Sequence, residues 1–126
     1  MRRSRKGPGS IGGIAVHVLV AGLMLFAGSG KFFGFAPATV MRSMAGYGLG
    51  GHIRLIGFGE MISAILLLMR PTLSLGTLLV SAFWGGAICI HLAHGESIML
   101  PAAMLLLTWI GSSLRESHTF ASFYRR

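Results

Sequence analysis

Four long apolar runs follow one another along the chain, separated by short polar segments. The runs cover about residues 11–33, 53–69, 73–93 and 98–114. A helix of about 20 residues crosses a hydrocarbon core of about 30 Å, and each run approaches or exceeds that length. The runs are continuously apolar, whereas the strands of a membrane barrel alternate between apolar and polar residues. We therefore predict an all-α fold, a four-helix transmembrane bundle.

The segments between the runs predict how the helices are connected. The turns at 70–72 and 94–97 are so short that they can join only antiparallel neighbours. Pro71 suits the start of the third helix, where its missing N–H costs least. The longer first connection contains a short interfacial helix at about residues 38–45, followed by a glycine-rich hinge. The predicted topology is up-down-up-down.

Basic residues are distributed unequally between the two ends of the predicted helices. Eight lie on the side of the termini and three on the other, which predicts cytoplasmic N and C termini. The chain is thus divided into a basic N-terminus at 1–10, a transmembrane domain at 11–114 and an amphipathic cytoplasmic tail at 115–126. The residues predicted to anchor the chain at the membrane surface are Arg2, Arg3, Arg5, Lys6, Arg54, Arg125 and Arg126.

The composition agrees with a membrane protein and excludes a nucleic-acid partner. Hydrophobic residues make up 53% of the chain and charged residues 11%, whereas a soluble domain has about 25% charged residues. The net charge of +8 comes mostly from residues that flank the apolar runs, where they face lipid headgroups. The predicted partners are therefore the lipid bilayer and other membrane protein subunits.

Few ionisable residues lie inside the runs, and three of them are predicted to form a cluster. Glu60 lies about seven residues inside the second helix, at a depth where an unpaired carboxylate costs several kcal/mol. Lys31, near the end of the first helix, can reach it, and small residues beside Lys31 allow the two helices to approach. His91 lies in the same half of the membrane. The cluster is interpreted either as an ion pair that fixes helix register or as a ligand or proton site.

Other chemistries have weaker support in the sequence. His91 and His94 are three residues apart, but a third metal ligand is not evident, so no metal site is predicted. His17 and His91 lie at opposite ends of the helices, which does not suit a haem. Cys89 is the only cysteine, so neither an intramolecular disulfide nor a Cys-x-x-Cys pair can form. Cys89 and Trp84 are interpreted as packing residues.

Three segments together resemble the DoxX-like family of small four-helix bacterial membrane proteins. They are LFAGSGKFFGF at the end of the first helix, GFGEMISAILLL in the second and GGAICIHLAHG at the end of the third, and the resemblance covers about residues 19–114. It implies a multi-pass protein of the bacterial cytoplasmic (inner) membrane, associated with membrane oxidoreductase complexes, one of them quinone-linked. Some relatives carry cysteine pairs for thiol chemistry, which this chain lacks.

From these features we predict an accessory or structural subunit of a larger membrane redox or energy-transducing complex. It has no catalytic residues and no cofactor of its own, and it shapes a site for a quinone or a lipid. The alternative is a stand-alone protein that binds or carries a small amphiphile through Lys31, Glu60 and His91. A third hypothesis, an oxidoreductase with its own cofactor, has the least support in the sequence.

Overall fold

A computed structural model describes residues 7–116, and within this range the chain is entirely helical, with no strand. Short 3₁₀ turns precede two of the helices, at Gly50–His52 and Arg70–Thr72. The five α-helices, numbered in chain order, are α1 (Pro8–Phe33), α2 (Ala38–Gly46), α3 (Ile53–Leu68), α4 (Leu73–Ala93) and α5 (Met99–Arg115).

The observed helices follow the predicted runs closely. The four predicted runs correspond to α1, α3, α4 and α5, and the short helix of the first connection corresponds to α2. Three segments are long and apolar enough to cross a membrane, Gly9–Phe33, Gly50–Leu68 and Arg70–Ala93. With 17 residues, α5 extends about 26 Å, somewhat less than a hydrocarbon core. Its crossing of the membrane therefore stays a prediction.

The predictions for the chain ends lie outside the described residues. The basic residues Arg2, Arg3, Arg5 and Lys6 precede the described range. Most of the predicted amphipathic tail, with Arg125 and Arg126, follows it. Their role at the membrane surface stays a prediction, as does the cytoplasmic location of both termini.

The four long helices pack in a ring, in which α1 and α4 each contact both α3 and α5. The start of α1 lies beside the end of α5, where Gly13 faces Gly111 and Arg115. The end of α1 lies beside the start of α3, where Gly28 faces Gly57. We call the end of the bundle at which α1 begins the proximal end, and the opposite end the distal end.

Apolar side chains from all four long helices fill the centre of the bundle. The core contains Val20, Ala21, Met24, Ala64, Leu67, Leu73, Val80, Trp84 and Met104. It lies between two groups of buried polar residues, one with His17 near the proximal end and one with Glu60 toward the distal end. Cys89 is exposed on α4 and is not the buried packing residue that the sequence predicted.

Candidate functional site

The predicted pair of Lys31 and Glu60 is present. Lys31 Nζ on α1 lies 2.6 Å from Glu60 Oε2 on α3, the distance of a charge-assisted hydrogen bond. The Glu60 side chain is 2% exposed and that of Lys31 is 11% exposed. The carboxylate is therefore sealed inside the bundle, and the ammonium group closes the site on its more accessible side.

Two glycines allow α1 and α3 to approach closely enough for this pair. A Cβ atom at Gly57 would lie 2.5 Å from the Gly28 carbonyl oxygen, and one at Gly28 would lie 2.8 Å from the Gly57 carbonyl oxygen. Both distances are too short for a real Cβ, so a side chain at either position would separate the helices. Close backbone approach at small residues is a general way for helices to associate in lipid.

Aromatic residues of α4 complete the surroundings of the pair. Lys31 Nζ lies 5.7 Å from the centre of the Phe83 ring, within the range of a cation–π interaction. The Phe83 ring in turn contacts the Trp84 ring edge to face, with centroids 5.0 Å apart. The pair thus has contacts from α1, α3 and α4.

His91 does not join the pair by any hydrogen bond or ion pair in the described residues. It lies instead in a group at the distal loops, with Tyr47, His94 and Glu96, which we call the loop cluster. His91 Nδ1 lies 2.7 Å from the Ser97 carbonyl oxygen and 4.0 Å from Glu96 Oε2. The short turn after α4 brings the Ser97 carbonyl within hydrogen-bonding distance of the imidazole. The structure therefore brings together two of the three predicted site residues.

The loop cluster connects the segment after α2 to the turn after α4. The Tyr47 hydroxyl donates a hydrogen bond of 2.5 Å to Glu96 Oε2, and the Tyr47 ring contacts the His94 ring. The hydrogen bond to Glu96 raises the pKa of Tyr47, because the neutral phenol donates it. No group of three or more His, Cys, Asp or Glu side chains among residues 7–116 is arranged to hold a metal ion.

A second buried polar group lies near the proximal end and was not predicted from the sequence. His17 is completely buried, and its Nε2 lies 2.9 Å from the Thr108 carbonyl oxygen and 3.3 Å from Ser112 Oγ. Ser112 Oγ also lies 2.8 Å from Thr77 Oγ1 on α4. We call these residues, together with Arg115, the proximal network.

Arg115 connects the proximal network to α3. Its Nη1 lies 2.6 Å from the Leu67 carbonyl oxygen and its Nη2 lies 3.1 Å from the Leu68 carbonyl oxygen. These carbonyls belong to the last turn of α3 and have no partner within the helix. Because a guanidinium is cationic, it also interacts favourably with the negative end of the helix dipole. Arg115 therefore caps α3 from α5.

The contact between Arg115 and His17 fixes the state of the imidazole. Arg115 Nη1 lies 2.9 Å from His17 Nδ1, and a guanidinium can only donate hydrogen bonds. Nδ1 must therefore accept, so the ring proton is on Nε2, which donates to the Thr108 carbonyl. His17 is neutral in this arrangement. The network joins α1, α4 and α5, and Arg115 connects it to α3.

The spacing of glycines is the signal that could have identified the proximal network. Gly13 precedes His17 by four residues on α1, and Gly111 precedes Arg115 by four residues on α5. A Cβ at Gly111 would overlap the His17 ring, and one at Gly13 would lie 2.8 Å from the Gly111 carbonyl oxygen. The close approach of the helices at these glycines thus brings the polar side chain one turn away, His17 on α1 or Arg115 on α5, against the opposite helix.

An exposed group of phenylalanines lies at the distal end, next to the ion pair. Phe32 follows Lys31 directly, and its ring contacts those of Phe33 and Phe58, while Phe33 stacks on Phe35. Phe33, Phe35 and Phe58 are 67%, 59% and 49% exposed. We call these four residues the aromatic patch.

Comparison with known proteins identifies one family. A model of the DoxX-like family matches residues 15–111, which include the whole ion pair and most of the proximal network. No curated protein and no solved structure matches the chain.

Proposed function

The chain belongs to the DoxX-like family, and we propose that it is an accessory subunit of a larger membrane redox or energy-transducing complex. In this proposal α1, α3, α4 and α5 all cross the bacterial cytoplasmic membrane, and both termini lie in the cytoplasm. The chain shapes a site for a quinone or a lipid next to Lys31 and Glu60, and it supplies no cofactor or catalytic group itself.

The aromatic patch is the observation that carries the accessory role. Its four rings are connected by ring contacts that lead from Phe35 through Phe33 and Phe32 to Phe58, and three of them are exposed. They join the end of α1 to α3 next to Lys31. Aromatic residues contribute large contact areas and are enriched at the centres of protein interfaces. The patch is held on α1 and α3 by the Gly28–Gly57 contact, which makes it a preformed surface for a partner helix.

Purification from native membranes in a mild detergent tests this proposal. The tagged chain is expected to co-purify with other membrane subunits in constant stoichiometry, as measured by mass spectrometry. The double variant Phe33→Ala/Phe35→Ala should lose these subunits. The matched control is Phe26→Ala, because Phe26 is 72% exposed on the same helix but lies outside the patch. A wild-type chain that purifies alone would contradict the accessory role.

A second candidate function is a stand-alone protein that binds or carries a small amphiphile. The observation that favours it is the unequal burial of the ion pair, since Lys31 is more accessible than Glu60. An ammonium group has three donors, and Glu60 Oε2 accepts one of them. Lys31 and Glu60 would form the polar end of the pocket. His91 would contribute only from the loop cluster.

Ligand co-purification separates this candidate from a purely structural pair. Glu60→Gln should remove a co-purifying amphiphile and leave the helical content of the chain unchanged. Arg54→Gln is the matched control, because Arg54 is an exposed basic residue at the start of the same helix. If Glu60→Gln lowers only the melting temperature and the bound lipids are unchanged, the pair is structural.

A further inference from the structure

Trp84 has a buried hydrogen-bond donor that nothing in the described chain satisfies. The residue is 8% exposed in the middle of α4, and its indole Nε1 has no hydrogen-bond partner. It is the only buried side-chain nitrogen or oxygen without a partner among residues 7–116. Because an indole N–H can only donate, and because an unpaired buried donor is costly, the site calls for an acceptor.

Trp84 lies at nearly the same depth in the bundle as Glu60. The neighbouring helices α3 and α4 meet where a Cβ at Gly76 would overlap the backbone of Leu67. Toward the distal end, Trp84 lies eight residues from Gly76 along α4. Glu60 lies seven residues from Leu67 along α3, which runs in the opposite direction. At 1.5 Å per residue, the two positions differ in depth by about one residue.

The Phe83 ring connects the two donors. It contacts both the Lys31 ammonium and the Trp84 ring. Phe83 is only partly buried, whereas Trp84 and Glu60 are buried. The Lys31 ammonium and the Trp84 indole therefore both lie next to one aromatic ring that is accessible from outside the bundle.

We propose that Trp84 Nε1 and Lys31 Nζ bind a neutral, carbonyl-bearing amphiphile, whose apolar body packs against Phe83. This inference deepens the proposed quinone or lipid site and rests on it. Both donors lack any acceptor function, so the ligand must bring the acceptor. It is neutral because Lys31 and Glu60 already compensate each other, and a further buried charge would lack a partner.

Two kinds of molecule share this chemistry, a ring carbonyl compound and a lipid ester. They are distinguished by nuclear magnetic resonance of the full chain, labelled with ¹⁵N-tryptophan, in dodecyl maltoside, a detergent without carbonyl groups. The indole N–H signals of Trp84 and Trp109 are followed during titration with a short-chain benzoquinone, with dioctanoylglycerol, or with decane, which has no acceptor. Trp109, the other tryptophan, is the internal control.

The proposal predicts a saturable shift of the Trp84 signal with one or both carbonyl probes, no shift with decane, and an unchanged Trp109 signal. The probe that shifts Trp84 identifies the source of the carbonyl. Trp84→Phe removes this signal, so its Kd is measured by isothermal titration calorimetry. It should be about two- to tenfold higher than that of the wild-type chain, which corresponds to the loss of one hydrogen bond. If that variant does not fold, the titration of the wild-type chain still decides.

Two results would overturn the proposal. One is a Trp84 signal that responds to neither carbonyl probe and exchanges only with water, which would assign the N–H to a buried water. The other is an equal shift of Trp84 and Trp109, which would indicate partitioning into the micelle. Neither affects co-purification of partner subunits, so the accessory role can stand if the ligand proposal fails.

Discussion

Gly28 and Gly57 face each other where α1 meets α3, each leaving too little space for a side chain on the other. The contact lies one helical turn from both Lys31 and Glu60, since Lys31 follows Gly28 by three residues and Glu60 follows Gly57 by three. The glycine contact therefore sets the distance over which the ammonium and the carboxylate meet. The buried ion pair depends on two residues that carry no charge.

Gly57→Ala is expected to destabilise the bundle by about 1–3 kcal/mol, because the added methyl group would overlap the Gly28 carbonyl and the Lys31 side chain. Thermal unfolding in detergent measures the change. The matched control is Gly59→Ala on the same helix, where a Cβ meets nothing within 4 Å. This control should be neutral or slightly stabilising, because alanine favours the helix. Equal melting temperatures for the two variants would argue against the close contact.

Lys31→Met is expected to cost more stability than Glu60→Gln. The methionine leaves a carboxylate that is 2% exposed without its cation, whereas the glutamine leaves an ammonium that can extend toward the headgroups. Breaking a buried pair from one side costs about 3–5 kcal/mol. The double variant should recover much of the loss, and a double-mutant cycle of unfolding free energies measures the coupling. Additive losses would show that the two residues do not interact.

Arg115→Lys is expected to loosen the end of α3, although the charge is retained. The guanidinium contacts His17 Nδ1 and the Leu67 and Leu68 carbonyls at the same time, and an ammonium group cannot reproduce this planar geometry. Hydrogen exchange should therefore rise for the amides of the last turn of α3. Arg54→Lys, at the exposed start of the same helix, should leave exchange unchanged. Unaltered protection in Arg115→Lys would contradict the capping role.

Tyr47 should titrate at a higher pH than an ordinary tyrosine, because its hydroxyl donates a hydrogen bond to Glu96 and this raises its pKa. The folded state then favours the neutral phenol. The stabilisation is complete below the unfolded pKa of about 10 and is lost as the pH rises through the folded pKa. Absorbance at about 295 nm in a Tyr124→Phe background follows Tyr47 alone.

Glu96→Gln should bring the pKa of Tyr47 back toward its ordinary value, because the carboxylate that accepts the hydrogen bond is removed. Glu116→Gln is the matched control, since Glu116 is exposed at the end of α5 and takes no part in the loop cluster. A titration of Tyr47 that is identical in both variants would show that Glu96 does not hold the phenol.

The positions of the helices could be predicted from the sequence because membrane crossing depends on local properties. The apolar runs and short turns gave limits close to those of α1, α3, α4 and α5. The Lys31–Glu60 pair could also be predicted, since Glu60 is the only acidic residue inside a run and Lys31 is the nearest cation across the first connection. A costly buried charge restricts its possible partners to very few.

Which helix faces meet was decided only by the tertiary structure. Gly85 and Gly86 on α4 make no close helix contact, since a Cβ at either position would meet nothing within 4 Å. Gly57, Gly76 and Gly111 make the close contacts instead. Helices in a membrane are apolar on the lipid side as well as on the packed side, so hydropathy does not distinguish the two faces.

For the same physical reason, some of the remaining features of the chain were determined by the sequence and others only by the tertiary structure. The sequence by itself determined how many helices form, where each begins and ends, and that Glu60 requires a cation. The position of His91 in the loop cluster, the connection of His17 to Arg115 and the unpaired N–H of Trp84 were decided by the tertiary structure. Each depends on the rotation and axial register of helices that are distant along the chain, and only packing between them fixes those two quantities.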